Sequence, residues 1–182
     1  MSQHTTAPLP DLVARAQRGD EQAWAELVSR HAGLVWSVAR AHRLGDADAA
    51  DVAQATWMRL LEHVGDIREP AAVGGWVATT ARRECLRVLR RAERVVCTAE
   101  PPELVDDDSE PDARLLNSER DAALWAAFGR LSARDQALLR MLAASPAPSY
   151  EEIGAALGMP IGSIGPTRAR ALDRLRREFE RR

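Results

Sequence analysis

Residues 95–117 set the strongest constraint on how this chain can fold. Pro101, Pro102 and Pro111 rule out one continuous helix through the stretch, and Asp106, Asp107, Asp108, Glu110 and Asp112 leave it little to bury. The chain must therefore find its cores on either side, in residues 11–94 and 118–182. Hydrophobic residues make up 46% of the sequence but aromatic ones only 4%, which favours small Ala- and Leu-rich packing between helices. The expected fold is all-α: two small helical domains, an N-terminal four-helix unit (11–94) and a C-terminal unit (118–182), joined by a flexible acidic linker (95–117) and preceded by a disordered tail (1–10).

Periodicity places the helices. Leu12, Val13 and Ala16 give a short first helix, and Gly19-Asp20 interrupts it, with Asp20 as N-cap of a longer one through Ala23, Leu27, Leu34, Val35 and Val38. After a break at residues 43–46, Ala53, Trp57, Leu60, Leu61 and Val64 form the inward stripe of a third helix, whose other face carries Asp51, Gln54, Arg59 and Glu62. Pro70 and Gly74-Gly75 mark a loop before a fourth helix, from about Val73 to Arg94, with Val77, Ala81, Cys85 and Val88 inward.

Beyond the linker, Leu124, Trp125, Phe128 and Leu131 predict one helix, and Leu138, Leu139 and Leu142 a second behind a Ser132 cap. Ser149-Tyr150-Glu151-Glu152 is a capping box that opens a short helix ending at Gly158. A turn over residues 159–162 leads to a last Arg-rich helix from about Ser163, in which Pro166 would be the third helical residue. Short helix, Gly-containing turn and longer basic helix is the helix-turn-helix pattern.

A net charge of -2 conceals an uneven distribution. Every Lys/Arg position is Arg, and these cluster at residues 82–94 and 168–182 around an acidic stretch at 100–112, which points to a polyanion as partner. Enzymatic readings find no support: there is no phosphate-binding loop, no metalloprotease motif and no nucleophile elbow. His4, His31, His42 and His63 are scattered, and Cys85 and Cys97 have no zinc-ligand spacing. No enzyme activity, cofactor or metal is expected. The first ten residues lack a signal-peptide pattern and no apolar run is long enough to span a membrane, so the expected location is cytoplasmic.

Three segments, in order, resemble the extracytoplasmic-function (group 4) sigma factors of the sigma-70 class. DADAADVAQATWMRLLEHV is similar to the family's DAEDxxQETFLRxW helix, and GWVATTARRECLRVLRR to its WLxxIARNxAxDxLRR helix. LSARDQALLRMLAASPAPSYEEIGAALGMPIGSIGPTRARALDRLR is similar to LPxxxRxxLxLxxxxxxSYxEIAxxLGxxxGTVxSRxxRAxxxLR. The resemblance runs from Asp11 to Glu180.

The resemblance implies a non-enzymatic subunit that binds core RNA polymerase, recognises the −10 and −35 promoter elements, helps melt the promoter and initiates transcription. Asp51, Gln54, Thr56, Trp57 and Arg59 would dock on the clamp helices of the largest polymerase subunit. Ile67, Arg68, Arg82, Arg83, Arg87, Arg90 and Arg91 would meet the −10 element, and Ser163, Ile164, Thr167, Arg168, Arg170 and Arg174 the −35 duplex, with the last domain resting on the flap of the second-largest subunit. The linker would follow the RNA path. An anti-sigma factor is a further candidate partner, and the free protein would be a monomer. Arg83 and Arg87 stand where the family has Asn and Asp, and Gly165-Pro166 where it has a basic residue and Ser, so promoter preference does not carry over. Two rival readings remain: a helix-turn-helix regulator acting without polymerase, which leaves the first domain unexplained, and a helical interaction module with no DNA role.

Overall fold

The computed structural model describes residues 7–96 and 119–181, with side-chain surroundings for 7–92 and 121–181. Among these residues there are eight α-helices, two 3-10 turns and no strand. Residues 97–118, with Cys97 and the rest of the linker, lie outside them, as do the first six residues and Arg182; residues 95–96, expected in the linker, end α4.

The first half runs α1 (Leu9–Gln17), α2 (Glu21–Ala41), α3 (Asp46–His63), the 3-10 turns Val64–Asp66 and Pro70–Ala72, and α4 (Val73–Val96). Asp20 caps α2 as its position predicts: its carboxylate accepts from the backbone N–H of Gln22 and Ala23, both at 3.0 Å, and from Arg15 Nε at 2.8 Å. The Arg15 hydrogen bond, followed by the bond from Ala23, holds the Asp20 carboxyl below its ordinary range. The α2–α3 break falls at Arg43, which has φ +58°.

Residues spaced by three and four along α2, α3 and α4 meet in one core: Leu27, Leu34, Val35 and Val38 from α2, Val52 and Leu60 from α3, Val77, Ala81 and Cys85 from α4. Leu61 does not join them. Leu60 takes the inward position, and the next residue, 100° around the helix, is 57% exposed.

The second half runs α5 (Glu119–Gly129), α6 (Ala133–Ala143), α7 (Tyr150–Leu157) and α8 (Ile161–Glu180). Ser132 caps α6 through Asp135 N at 3.1 Å. The capping box at α7 is complete: Ser149 Oγ accepts from Glu152 N at 3.2 Å, and Glu152 Oε2 accepts from Ser149 N at 2.7 Å. Gly158 ends α7 in the left-handed region, φ +64°, which leaves room for the abrupt turn into α8.

The last helix starts three residues earlier than its sequence suggests, since Ser163 would be its N-cap there. Pro160 is its N-cap, and Ser163, inside the first turn, donates from Oγ to Pro160 O at 2.7 Å. Pro166 is therefore the sixth helical residue, deep enough to remove one intrahelical donor. Gly165 before it carries no Cβ to clash with the proline ring, which eases the helical conformation at that position.

The halves are packed together. α7 lies along α4 and α6 against α2, and Leu138, Met141, Ile153, Ala156 and Ile164 belong to the same buried cluster as the α2–α4 core.

Candidate nucleic-acid and protein interfaces

Three surfaces are built from these helices. On α3, Asp51, Gln54, Met58 and Leu61 are exposed at helical spacing, with Trp57 half-buried at the edge of the stripe. Met58 is 56% exposed. The face is polar at its start, with Asp51 and Gln54, and apolar towards its end, with Met58 and Leu61. Met58 and Leu61 are the residues that sequence reasoning missed. Their signal was the spacing from Gln54, which continues the polar face rather than the core stripe.

Thr56 and Arg59, assigned to the same surface from sequence, belong elsewhere. Thr56 is fully buried and its hydroxyl donates to Val52 O at 2.7 Å, so it cannot reach a docked partner. Arg59 crosses to α4, where Nε pairs with Glu84 Oε1 at 2.6 Å. Glu84 is buried and takes a second cation, Arg87, at 3.0 Å. Loss of Arg59 would leave a buried carboxylate short of one partner, so its first contribution is to join α3 to α4.

The second surface is the outer side of α4. Arg83, Arg87, Arg90 and Arg91 are exposed there, opposite Val77, Ala81 and Cys85. Arg82, on the flank, is half-buried, with its guanidinium against Gly158 of the other half. Arg68 is exposed in the loop before α4, and Ile67 is half-buried against the core. Gln17 fastens that loop, donating from Nε2 to Val64 O at 3.0 Å and Ile67 O at 3.1 Å. These residues make one exposed row of cations, which attracts a polyanion without selecting a sequence.

The third surface is α8. Arg168 and Arg170 are exposed, Ser163 and Thr167 half-exposed, so the first turns present a mixed hydroxyl and guanidinium face. Arg170 Nε donates back to Pro166 O at 3.2 Å. Ile164 is not part of this face. It is fully buried beneath α7, and its removal from solvent makes it a packing residue. Arg174 pairs with Asp135, a buried carboxylate on α6, and so clamps α8 to α6.

Of the histidines, His31 is buried with Nδ1 2.8 Å from Leu27 O, a satisfied structural group. His42 lines a cleft of about 310 Å³ between the halves, with Arg43, Arg82, Arg134 and Leu157. Burial, and then the Arg82 charge, hold its pKa below the ordinary value of 6.5. Cys85 is buried in the α4 core, and desolvation pushes its thiol up to about 12. Among the described residues, no group of three or more His, Cys, Asp or Glu is placed to hold a metal ion, and no helix is long and apolar enough to cross a membrane.

Residues 27–95 match the family model described as Sigma-70 region 2. The chain is 30% identical over 164 residues to the ECF RNA polymerase sigma factor SigE of Mycolicibacterium smegmatis, covering 87% of this chain and 63% of that one. It is 28% identical over 177 residues to the ECF RNA polymerase sigma factor BldN of Streptomyces coelicolor, covering 94% and 66%. It is 30% identical over 167 residues to the ECF RNA polymerase sigma factor RpoE of Cereibacter sphaeroides, covering 88% of each. The chain thus spans just under two thirds of the length of the first two relatives. Two solved structures share the fold: CnrH in complex with the cytosolic domain of CnrY, at 20% identity and TM-score 0.61 over 93% of this chain and 95% of that one, and the sigma factor RpoE of Bartonella quintana in complex with the anti-sigma factor NepR, at 20% identity and TM-score 0.58 over 88% and 96%.

Proposed function

The chain belongs to the extracytoplasmic-function RNA polymerase sigma factors, and from that premise we propose that it binds core RNA polymerase in the cytoplasm and directs it to promoters, with α4 at the −10 element and α8 at the −35 element. The observation that carries this reading is the co-existence on one chain of an exposed apolar stripe on α3 and two separate exposed arginine faces on α4 and α8. A regulator acting without polymerase has no use for the first of these.

In this reading Asp51, Gln54, Trp57, Met58 and Leu61 form the polymerase-docking face. Arg83, Arg87, Arg90 and Arg91 follow the phosphates of the opening −10 strand, while Ile67 and Arg68 in the loop meet its bases. Promoter melting then needs no catalytic group. The energy of holding unstacked bases offsets the few kcal/mol per step that opening costs, a scale set by base–side-chain contacts of about 1–3 kcal/mol each. On α8, Ser163, Thr167 and Arg168 are placed in the first turns, from which a recognition helix reaches base edges in the major groove. An anti-sigma factor is a further proposed partner, since the Bartonella quintana relative was solved bound to one.

Co-purification with core polymerase tests the docking face. Met58→Arg with Leu61→Arg should abolish the complex and leave the unfolding transition in place, because both side chains are more than half exposed. Retained binding by that variant would displace the interface from α3.

A further inference from the structure

The cleft of about 310 Å³ beside His42 carries an unbalanced charge. Arg43 after α2, Arg82 of α4 and Arg134 of α6 line it, and no carboxylate does. Its walls are fixed by close packing: Gly74 of α4 lies on the Glu152 side chain at one end of α7, and Arg82 lies on Gly158 at the other. None of the three cations is neutralised by what holds it. Arg43 Nη2 donates to the uncharged amide oxygen of Gln136 at 2.8 Å, Arg82 rests on a glycine, and Arg134 is exposed. Carboxylates on the adjoining segments are engaged elsewhere, Asp46 with Arg40 and Asp135 with Arg174.

Neighbouring groups register this surplus. His42 has its pKa lowered by burial and then by the Arg82 charge, and Arg140, one turn along α6 from Gln136, has its own lowered by burial and then by Arg43 and Arg40. The backbone adds to it. Ala133 and Arg134 are the first two residues of α6, so the positive end of that helix borders the cleft, and the Ser132 cap takes up only the N–H of Asp135 there. The negative ends of α2 and α7 border it as well. Each helix end is equivalent to only about half an elementary charge, so three guanidinium groups and the α6 terminus outweigh both.

We infer that this cleft binds a small organic diphosphate. Its two phosphate groups would sit among Arg43, Arg82, Arg134 and the start of α6, and its uncharged body against the apolar wall of Ala41, Ala137 and Leu157. Guanidinium forks meet phosphate oxygens in pairs, and a helix N-terminus offers them backbone N–H groups. The volume lies at the small end of the range for ligand pockets, about 300–1,000 Å³, which suits a small molecule and not a nucleic-acid duplex. The site needs neither polymerase nor promoter and stands apart from the sigma reading.

Isothermal titration calorimetry of the full chain, at about 0.15 M salt and without divalent metal, tests this with inorganic pyrophosphate, ADP and adenosine as probes. Pyrophosphate should bind at a single site per chain, ADP should bind more tightly, and adenosine should not bind. Arg134→Ala should weaken both anions at least about tenfold, the scale of one lost charge-assisted contact. Arg134 is exposed at the start of α6, so its removal leaves the fold intact. Arg43→Ala should weaken them likewise, whereas Arg18→Ala, an exposed arginine outside the cleft, should leave both affinities unchanged. Absence of saturable binding by either anion would overturn the proposal. So would equal losses in Arg134→Ala and Arg18→Ala, which would mark diffuse attraction to the arginine surface, or ADP binding no tighter than pyrophosphate.

Discussion

α4 and α8 carry the two arginine faces of the molecule, and the fold holds them in opposite ways. α4 is a central pillar packed by α2, α3 and α7, with its arginines on the remaining outer strip. α8 is anchored along one narrow side by Ile164 and Ala171, with α5, α6 and α7 beneath it, and most of its surface faces solvent. The same residue type therefore does different work in the two places. On α4, Arg87 pairs with the buried Glu84 and Arg82 lies against Gly158 of α7; on α8, Arg168 is exposed, whereas Arg174 is bound to the buried Asp135 of α6. Substitution on α4 should move fold and binding together, whereas on α8 the two should separate by position.

The largest effect should come from Ile164→Ala. Deleting a fully buried side chain costs about 2–5 kcal/mol, so urea unfolding of the C-terminal helices should shift markedly and −35 binding should fall with it. Unchanged stability with altered base preference would return Ile164 to the DNA face. Arg174→Ala follows. It strips a buried Asp135 of its partner, at a cost of about 2–3 kcal/mol, below the ~3–5 kcal/mol of a fully buried pair because the guanidinium is half exposed. A thermal melt identical to wild type would instead make Arg174 a free phosphate contact.

Arg168→Ala should behave in the reverse sense. Its loss should leave stability within about 0.5 kcal/mol, yet cost about 1–3 kcal/mol of binding and relax preference at one −35 position. A −35 mutation scan with every wild-type preference intact would exclude it as the reading residue. The smallest effect concerns pH. His42 has its pKa held below 6.5 by burial and Arg82, so its neutral form is favoured while the two halves are packed together. That stabilisation is present above the ordinary value of 6.5 and is lost as pH falls through the depressed one, where a new charge joins Arg43, Arg82 and Arg134. The packing of the two halves should therefore loosen on acidification, and His42→Phe should remove that dependence, as read by small-angle scattering of the free chain against pH.

Much of this was legible in the sequence because local chemistry fixes it. The Asp20 cap, the Ser149–Glu152 box, the Gly158 terminus and the apolar periods of α2 and α4 are all short-range rules, and each holds in the structure. What escaped depends on rotation or on distant partners. Leu61 is apolar yet points outward, and Thr56 is polar yet buried, because helix phase and not residue type decides exposure. Arg59 and Arg174 read as surface cations until Glu84 and Asp135, 25 and 39 residues away, supply buried carboxylates. The start of α8 was misplaced because Ser163 has the composition of a cap while Pro160 has the geometry of one. The contact of α7 with α4 left no local mark, since Gly74 and Gly158 read as ordinary breakers.

The central claim is that one chain brings polymerase to a promoter through both basic helices. Run-off transcription with purified core polymerase and fragmented genomic DNA, followed by footprinting of the templates that initiate, tests it most directly. The account predicts transcription only when the chain is added, from templates protected at both −10 and −35, with the −35 protection lost selectively in Arg168→Ala. Protection of one duplex site without transcription, unchanged by core polymerase, would contradict it.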